Sequence, residues 1–404
     1  MATSLCHSLL PNIIMQLIIL SISLVLFIIY AALILYYAIS WNQIPTNEKR
    51  ETNNEKPETL LSIIIPARNE AENIKDCLDS ICNQSYSKEL YEVIVVDDHS
   101  TDSTASIVKQ FQNVKLITLS EYIAPGLLNS YKKKAIEIAI AQSSGKLIIT
   151  TDADCYVPEN WLQTIASFYQ QTNAAFIAMP VAINCNNRFI EIFQALDFMT
   201  LQGITGASVY KKVHSMCNGA NLAYTKEAFE EVNGFKGIDT IASGDDMLLM
   251  HKIYKQHPEK VFFLKSKEVI VQTAPVKTLK EFLNQRIRWA SKADKYDDKR
   301  IFGVLLLVYL FNVLLLILPV VAIFKNIHYS IFNIQFSIFE FWLALLLCKT
   351  NVELIFLFPV ATFFNKQNLL WLFPVAQPLH ILYTVVAGWL GKFGTYQWKE
   401  RKVK

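Results

Sequence analysis

An α/β domain with a mostly parallel sheet, flanked by transmembrane helices, is the fold class this sequence predicts. Three observations predict it. Between residues 60 and 150, short apolar runs alternate with segments of helical spacing, the pattern of strands and crossover helices in a parallel sheet. Long uncharged stretches lie towards both ends of the 404-residue chain, while charge concentrates in the middle. The composition, 52% hydrophobic and 18% charged, is apolar for a soluble protein, and the excess sits in those terminal stretches.

Taken in order, Asn12–Ser40 is uncharged, rich in Ile and Leu, and long enough to cross a bilayer as a helix. A cleaved signal peptide wants a basic stretch before a shorter apolar core. Here no Lys or Arg precedes the segment, whereas Lys49, Arg50 and Lys56 follow it. The positive-inside rule then places the N-terminus outside and the next domain in the cytoplasm. Residues 1–42 read as an anchor and 43–59, polar with Pro and Asn, as a linker.

Strands are expected at Leu60–Ile65, Val93–Val96, Val114–Leu119 and Leu147–Ile149. Between them, Ile74, Cys77, Leu78 and Ile81 share one helical face, as do Ile107, Val108 and Phe111, and again Ala135, Ile136, Ala139 and Ile140. Sheets of this kind bind ligands at the carboxyl ends of their strands. Three such ends carry chemistry: Pro66-Ala67-Arg68-Asn69-Glu70, Asp97-Asp98-His99-Ser100 and Asp152-Ala153-Asp154. Charge near a core is costly unless compensated, and a hard divalent cation, Mg²⁺ or Mn²⁺ arriving with phosphates, would compensate Asp152 and Asp154. The plainer reading of that pair is an acidic loop after a strand. Two acidic strand ends on one crevice favour a site for a nucleotide and a metal.

Further on, Cys217-Asn218-Gly219-Ala220-Asn221 suits close backbone approach to a ligand, or is an ordinary turn. Ser243-Gly244-Asp245-Asp246 opens an amphipathic helix, Met247–Tyr254, where acids often serve only as caps. In the helical stretch Leu279–Ala290, Gln285, Arg288 and Trp289 fall at i, i+3 and i+4. That face can stack on a sugar and contact a diphosphate, or lie at a membrane interface. Seven cysteines show no metal-like spacing and read as reduced thiols, and a net charge of +3 gives no argument for nucleic acid.

Residues 301–395 hold two further uncharged spans, Ile301–Phe324 and Leu369–Phe393, the latter with Lys392 near its end. Between them, Gln335–Phe364 contains Glu340, Lys349 and Glu353, the last two spaced to pair on a helix. The basic tail, within 396–404, argues for a cytoplasmic C-terminus and hence two or four crossings after the central domain. On that count the middle segment is expected to be re-entrant, interfacial or a short hairpin.

The motifs IIIPARNE, VVDDHSTD, TDAD, GANLAY, SGDD and QRIRW, in this order across Leu61–Trp289, resemble those of the membrane-bound family 2 glycosyltransferases. The resemblance implies a GT-A fold over 60–300, including the Q-x-x-R-W helix, that takes a nucleoside-diphosphate sugar, UDP-linked by expectation. It implies that Asp97 and Asp98 sit by the nucleoside near Pro66, Arg68 and Glu70, and that Asp152 and Asp154 hold Mg²⁺ or Mn²⁺ on the diphosphate. Lys133 or Lys134 matches a phosphate-contacting lysine, although the glycines often before it are absent. Asn218, Gly219 and Asn221 line the substrate site. Asp246 matches the general base, with Asp245 in place of the usual Glu, and Gln285, Arg288 and Trp289 match the helix on the acceptor and diphosphate side. The expected protein is an inverting hexosyltransferase of cell-envelope glycans, multi-pass in the plasma membrane. Its partners are membrane lipids and a lipid or short-glycan acceptor at the cytoplasmic face. A processive polysaccharide synthase is the alternative, and a non-catalytic membrane scaffold the remote one.

Overall fold

The computed structural model describes residues 2–46, 57–124, 128, 130–186, 188–213, 216–241, 244–292, 298–324, 328–331, 334–394, 396–398 and 401–403. Lys49, Arg50 and Lys56 of the linker and Ser243 of the S-G-D-D motif lie outside the described residues. In chain order the elements begin with α1 (Ala2–Gln43), β1 (Leu61–Ala67), α2 (Ile74–Cys82), β2 (Tyr91–Asp97), α3 (Thr104–Val108) and β3 (Val114–Thr118). They continue with α4 (Tyr131–Ala141), β4 (Leu147–Thr150), β5 (Cys155–Tyr156), α5 (Trp161–Thr172), β6 (Phe176–Ala178), β7 (Val181–Ile183) and α6 (Phe189–Lys211). Then come β8 (Leu222–Thr225), α7 (Lys226–Glu231), α8 (Met247–Gln256), β9 (Val261–Phe263) and β10 (Val271–Thr273). The remainder is α9 (Leu279–Ala290), α10 (Lys299–Phe324), β11 (His328–Ile331), β12 (Ile334–Ser337), α11 (Ile338–Phe363), α12 (Phe373–Phe393), β13 (Tyr396–Trp398) and β14 (Arg401–Val403).

The chain forms two compact units, Ser40–Val276 and a second made of Met1–Ile39 with Lys277–Lys404. In the first, a seven-stranded sheet runs β3-β2-β1-β4-β8-β6-β9. β8 is antiparallel to both its neighbours, and the pairs β3–β2, β2–β1, β1–β4 and β6–β9 are parallel. The apolar runs that predict the strands are buried on both faces: Leu61, Ile63, Ile64, Ile65, Ile94, Val95 and Leu147–Ile149 are wholly inaccessible. Pro66 lies inside central β1, where a missing N–H would ordinarily break a ladder. It is harmless here because the β4 pairing stops at Ile64 opposite Thr150. A three-stranded sheet, β5-β10-β7, carries the segment just after Asp154.

Two close approaches fix this unit. A Cβ on Gly145 would stand 2.4 Å from Ser62 Oγ and 2.5 Å from Ser62 N, so only glycine lets the turn before β4 lie on β1. Glu92 of β2 ties the same corner, accepting from Ser62 Oγ at 2.6 Å and from the Ser144 N–H at 2.6 Å. Burial opposes its charge, but these hydrogen bonds outweigh it and hold the carboxyl below its ordinary range. The end of α1 belongs here too. Lys265 donates to the Trp41 carbonyl at 2.8 Å and lies 4.3 Å over the indole, while burial pushes its ammonium down to about 8.

The second unit holds α10, α11 and α12, and with the end of α1 these give four helices long and apolar enough to cross a membrane: Ile14–Gln43, Lys299–Phe324, Ile338–Phe363 and Gln367–Phe393. The middle C-terminal segment is therefore not a hairpin. Ser337 and Glu340 form a capping box at its start, and the helix runs unbroken for 26 residues with Pro359 inside. It tolerates Lys349 and Glu353 because each is satisfied by a neighbour. Lys349 donates to Glu353 Oε1 and to Gln377 Oε1 of α12, both at 2.7 Å, and Tyr30 of α1 donates to the same Glu353.

Candidate active site

The loops after β1 and β2 are stitched together before any ligand is considered. The Asp98 N–H donates to Ala67 O at 2.8 Å, Asn69 N–H to Ser100 Oγ at 3.0 Å, Glu70 N–H to Thr104 Oγ1 at 2.8 Å and Ala71 N–H to Asp102 Oδ2 at 3.1 Å. Asn69 and His99 turn these loops with φ of 50° and 55°. Asn adopts that left-handed conformation readily, whereas His does so only when held. His99 is held at both ring nitrogens, 2.9 Å from Asp98 Oδ1 and 3.0 Å from Ile123 O. Arg68 donates from Nη1 to Asp98 O at 2.8 Å and lies 3.8 Å from Asp98 Oδ1. Asp97 and Asp98 are both buried, and Asp97 Oδ1 has no hydrogen-bond partner among the described residues. A buried carboxylate oxygen left without a donor is costly, so this end of β2 is built to receive one. Glu70 instead accepts from Asn73 at 3.0 Å, at the start of α2.

Two strands away in the sheet, β4 ends at Thr150 and delivers Asp152 and Asp154. Lys132 Nζ lies 2.6 Å from Asp152 Oδ1 and 3.1 Å from Asp245 Oδ2, so one ammonium joins the D-x-D to the acidic pair before α8. Burial opposes its charge, but Asp152 and Asp245, with Asp246 behind them, outweigh that and hold the ammonium above the ordinary lysine range. Asp246 caps α8: its Oδ1 accepts from Met247 N–H at 2.7 Å and its Oδ2 from Gly219 N–H at 3.1 Å. Each oxygen still has a lone pair to offer. Gly219 makes this possible, because a Cβ there would stand 3.2 Å from both Asp245 Oδ2 and Lys132 Nζ. Thiols support the strand end: Cys77 Sγ is 3.7 Å from Asp152 O, and Cys155 Sγ 3.7 Å from Asp154 Oδ1. Burial first, and then these acids, push both thiols up and leave them unreactive.

Sequence reasoning missed Lys132, and the two lysines it named instead are engaged elsewhere. Lys133 is buried and donates to Ile238 O and Ile241 O, both at 2.7 Å, pinning the segment that leads to Asp245. Lys134 is half exposed and pairs with Glu137 at 3.2 Å. Three consecutive lysines at a helix start point in three directions, and the phase of α4 selects the first. The buried side chain of Asn221 bonds Trp161, Pro180 and Val269 at 2.7–3.0 Å and braces the strand start. Asn218 closes its own turn by accepting from Ala220 N–H at 2.9 Å. Gln285, Arg288 and Trp289 lie on α9, in the other unit, where Phe282 packs on Tyr383 with ring centroids 5.2 Å apart. Arg286, within the same motif, is buried 4.2 Å from the Trp289 ring and donates to Gln285 Oε1 at 2.7 Å.

A mostly parallel sheet with acids at the ends of β2 and β4, and a further acidic pair joined to the β4 end through Lys132, defines a glycosyltransferase domain of the GT-A class. Residues 62–232 match the profile of "Glycosyl transferase family 2". It is 28% identical over 215 residues to Glycosyltransferase AglE of Haloferax volcanii, a match covering 50% of this chain and 68% of that one. It is 24% identical over 297 residues to a beta-monoglucosyldiacylglycerol synthase of Nostoc sp., covering 66% of this chain and 60% of that relative. Among solved structures, the mannosyltransferase PcManGT of Pyrobaculum calidifontis, in complex with GDP-Man and Mn²⁺, matches with a TM-score of 0.55 at 19% identity. That match covers 90% of this chain and 98% of that one, and it shows the shared fold.

Proposed function

We propose that this chain moves a sugar from a nucleoside-diphosphate sugar to a hydroxyl of a lipid or short-glycan acceptor at the cytoplasmic face of a membrane, inverting the anomeric centre. The observation that carries this reading is the Lys132 bridge, which gathers Asp152 and Asp245 beside Asp246 from distant parts of the sequence. Asp97, Asp98 and Arg68 would hold the nucleoside. Asp246 takes the proton of the acceptor hydroxyl as that oxygen attacks the anomeric carbon, its carboxylate kept in place by the Met247 and Gly219 amides. One direct displacement inverts the configuration.

The donor set fits a hard divalent ion. Asp152 and Asp154 offer carboxylate oxygens at one strand end, and a cation already sits against Asp152 in the form of Lys132. Asp152 and Asp154 are the residues of this chain that would hold Mg²⁺ or Mn²⁺. When bound, the ion supplies neutralisation of the leaving nucleoside diphosphate. Four apolar helices on the same chain, and likeness to a beta-monoglucosyldiacylglycerol synthase, support a membrane-borne acceptor.

The test is to incubate membranes carrying the protein with labelled UDP- and GDP-sugars and Mn²⁺, then separate lipid-extractable from polymeric product. Label in the lipid or short-glycan fraction is expected. Label confined to a long polymer would replace this reading with a processive synthase.

A further inference from the structure

We infer that Lys132 is an internal counter-cation that keeps a free metal ion off Asp152 and yields only when a nucleoside diphosphate arrives, so that metal and nucleotide bind as one event. This rests on the reading above. The Lys132 ammonium lies 2.6 Å from Oδ1 of Asp152, one of the two carboxylates that would hold the metal, and it is anchored on the far side by Asp245 at 3.1 Å. The Lys132 side chain is 20% exposed and that of Asp152 36%, so water screens the pair only in part.

A divalent ion approaching alone meets this positive charge and must strip Asp152 of a short, charge-assisted hydrogen bond. A diphosphate changes the balance, because its oxygens offer the ammonium equivalent acceptors. Lys132 then transfers from carboxylate to phosphate and need not be left unpaired. Gly219 keeps the opposite side open: any Cβ there would press on both Lys132 Nζ and Asp245. The neighbouring lysines cannot substitute, since Lys133 is committed to backbone carbonyls and Lys134 to Glu137. The consequence is a coupling free energy between metal and nucleotide larger than their direct contact supplies, and equal in both directions.

The experiment titrates Mn²⁺ into the purified full chain in detergent, reading free Mn²⁺ by electron paramagnetic resonance, with and without UDP or GDP and corrected for Mn²⁺–nucleotide complexes in solution. Lys132→Met and Lys132→Gln are each expected to bind Mn²⁺ without nucleotide on the order of tenfold tighter than the unaltered protein, the effect of removing one nearby positive charge at high effective dielectric. The nucleotide's enhancement of Mn²⁺ binding should shrink by the same factor. Lys132→Arg, which keeps the charge, should behave like the unaltered protein, and so should Lys134→Met, which removes an equal charge from the exposed face of α4. If both neutral variants bind Mn²⁺ no tighter, or if Lys134→Met tightens it equally, the inference is overturned while the proposed function stands. If neither nucleotide strengthens Mn²⁺ binding to the unaltered protein, both fall together.

Discussion

Lys349→Met is the most exacting test of the helical unit. The ammonium is wholly buried on α11 and donates to Glu353 and Gln377 at 2.7 Å, and removing it leaves the Glu353 carboxylate with Tyr30 and Gln377 as its donors among the described residues. Breaking a buried pair from one side typically costs about 3–5 kcal/mol, because the partner's charge stays buried. The lower end, about 3 kcal/mol, is expected here, since two donors to Glu353 remain. Replacing both partners, Lys349→Met with Glu353→Leu, removes the uncompensated charge and should cost about 1 kcal/mol or less. The assay is SDS-titrated unfolding of the full chain in mild detergent, for both single variants and the double. If the double costs the sum of the singles, the residues are not coupled and the network reasoning is refuted.

Two further predictions concern the catalytic unit. Gly145→Ala places a methyl 2.5 Å from Ser62 N and 2.7 Å from Leu61 C, backbone atoms that cannot swing away, and should lower stability by about 3 kcal/mol in a melt of the full chain. An unchanged melt would mean that β1 and β4 can separate. Glu92, whose folded-state pKa is depressed, contributes fully above the unfolded carboxyl value of about 4.3. That contribution is lost as pH falls through the folded value, so Glu92→Gln should flatten the acid side of the stability profile, and an unaltered slope between pH 5 and 3 would contradict it.

Much of the catalytic unit was legible because burial on both sheet faces writes itself as apolar runs: Ile63–Ile65, Val93–Val96 and Leu147–Ile149 are all strand. The acids stood out for the same reason, as charges at the ends of such runs. What was not legible depends on rotation and on distance. Which of Lys132, Lys133 and Lys134 faces Asp152 is set by how Tyr131 and Ile136 seat α4, and no spacing rule within the triplet decides it. Nothing in GANLAY shows that Asn221 is held by Trp161, 60 positions earlier. The pairing of Lys349 with Glu353 follows from their spacing, whereas Tyr30 and Gln377, which make an unbroken helix tolerable, come from α1 and α12.

The central claim is that Asp246 is the base of a sugar transfer for which the remaining acids only bind and orient. Asp246→Asn keeps the size of the side chain and one of its two backbone hydrogen bonds, and removes the carboxylate that would accept the proton. Measured side by side with the unaltered protein, it should lower transfer from a labelled nucleotide sugar by about 10²–10⁴-fold while Mn²⁺-dependent nucleotide binding stays within about twofold. Transfer by Asp246→Asn at near-normal rates would contradict the account.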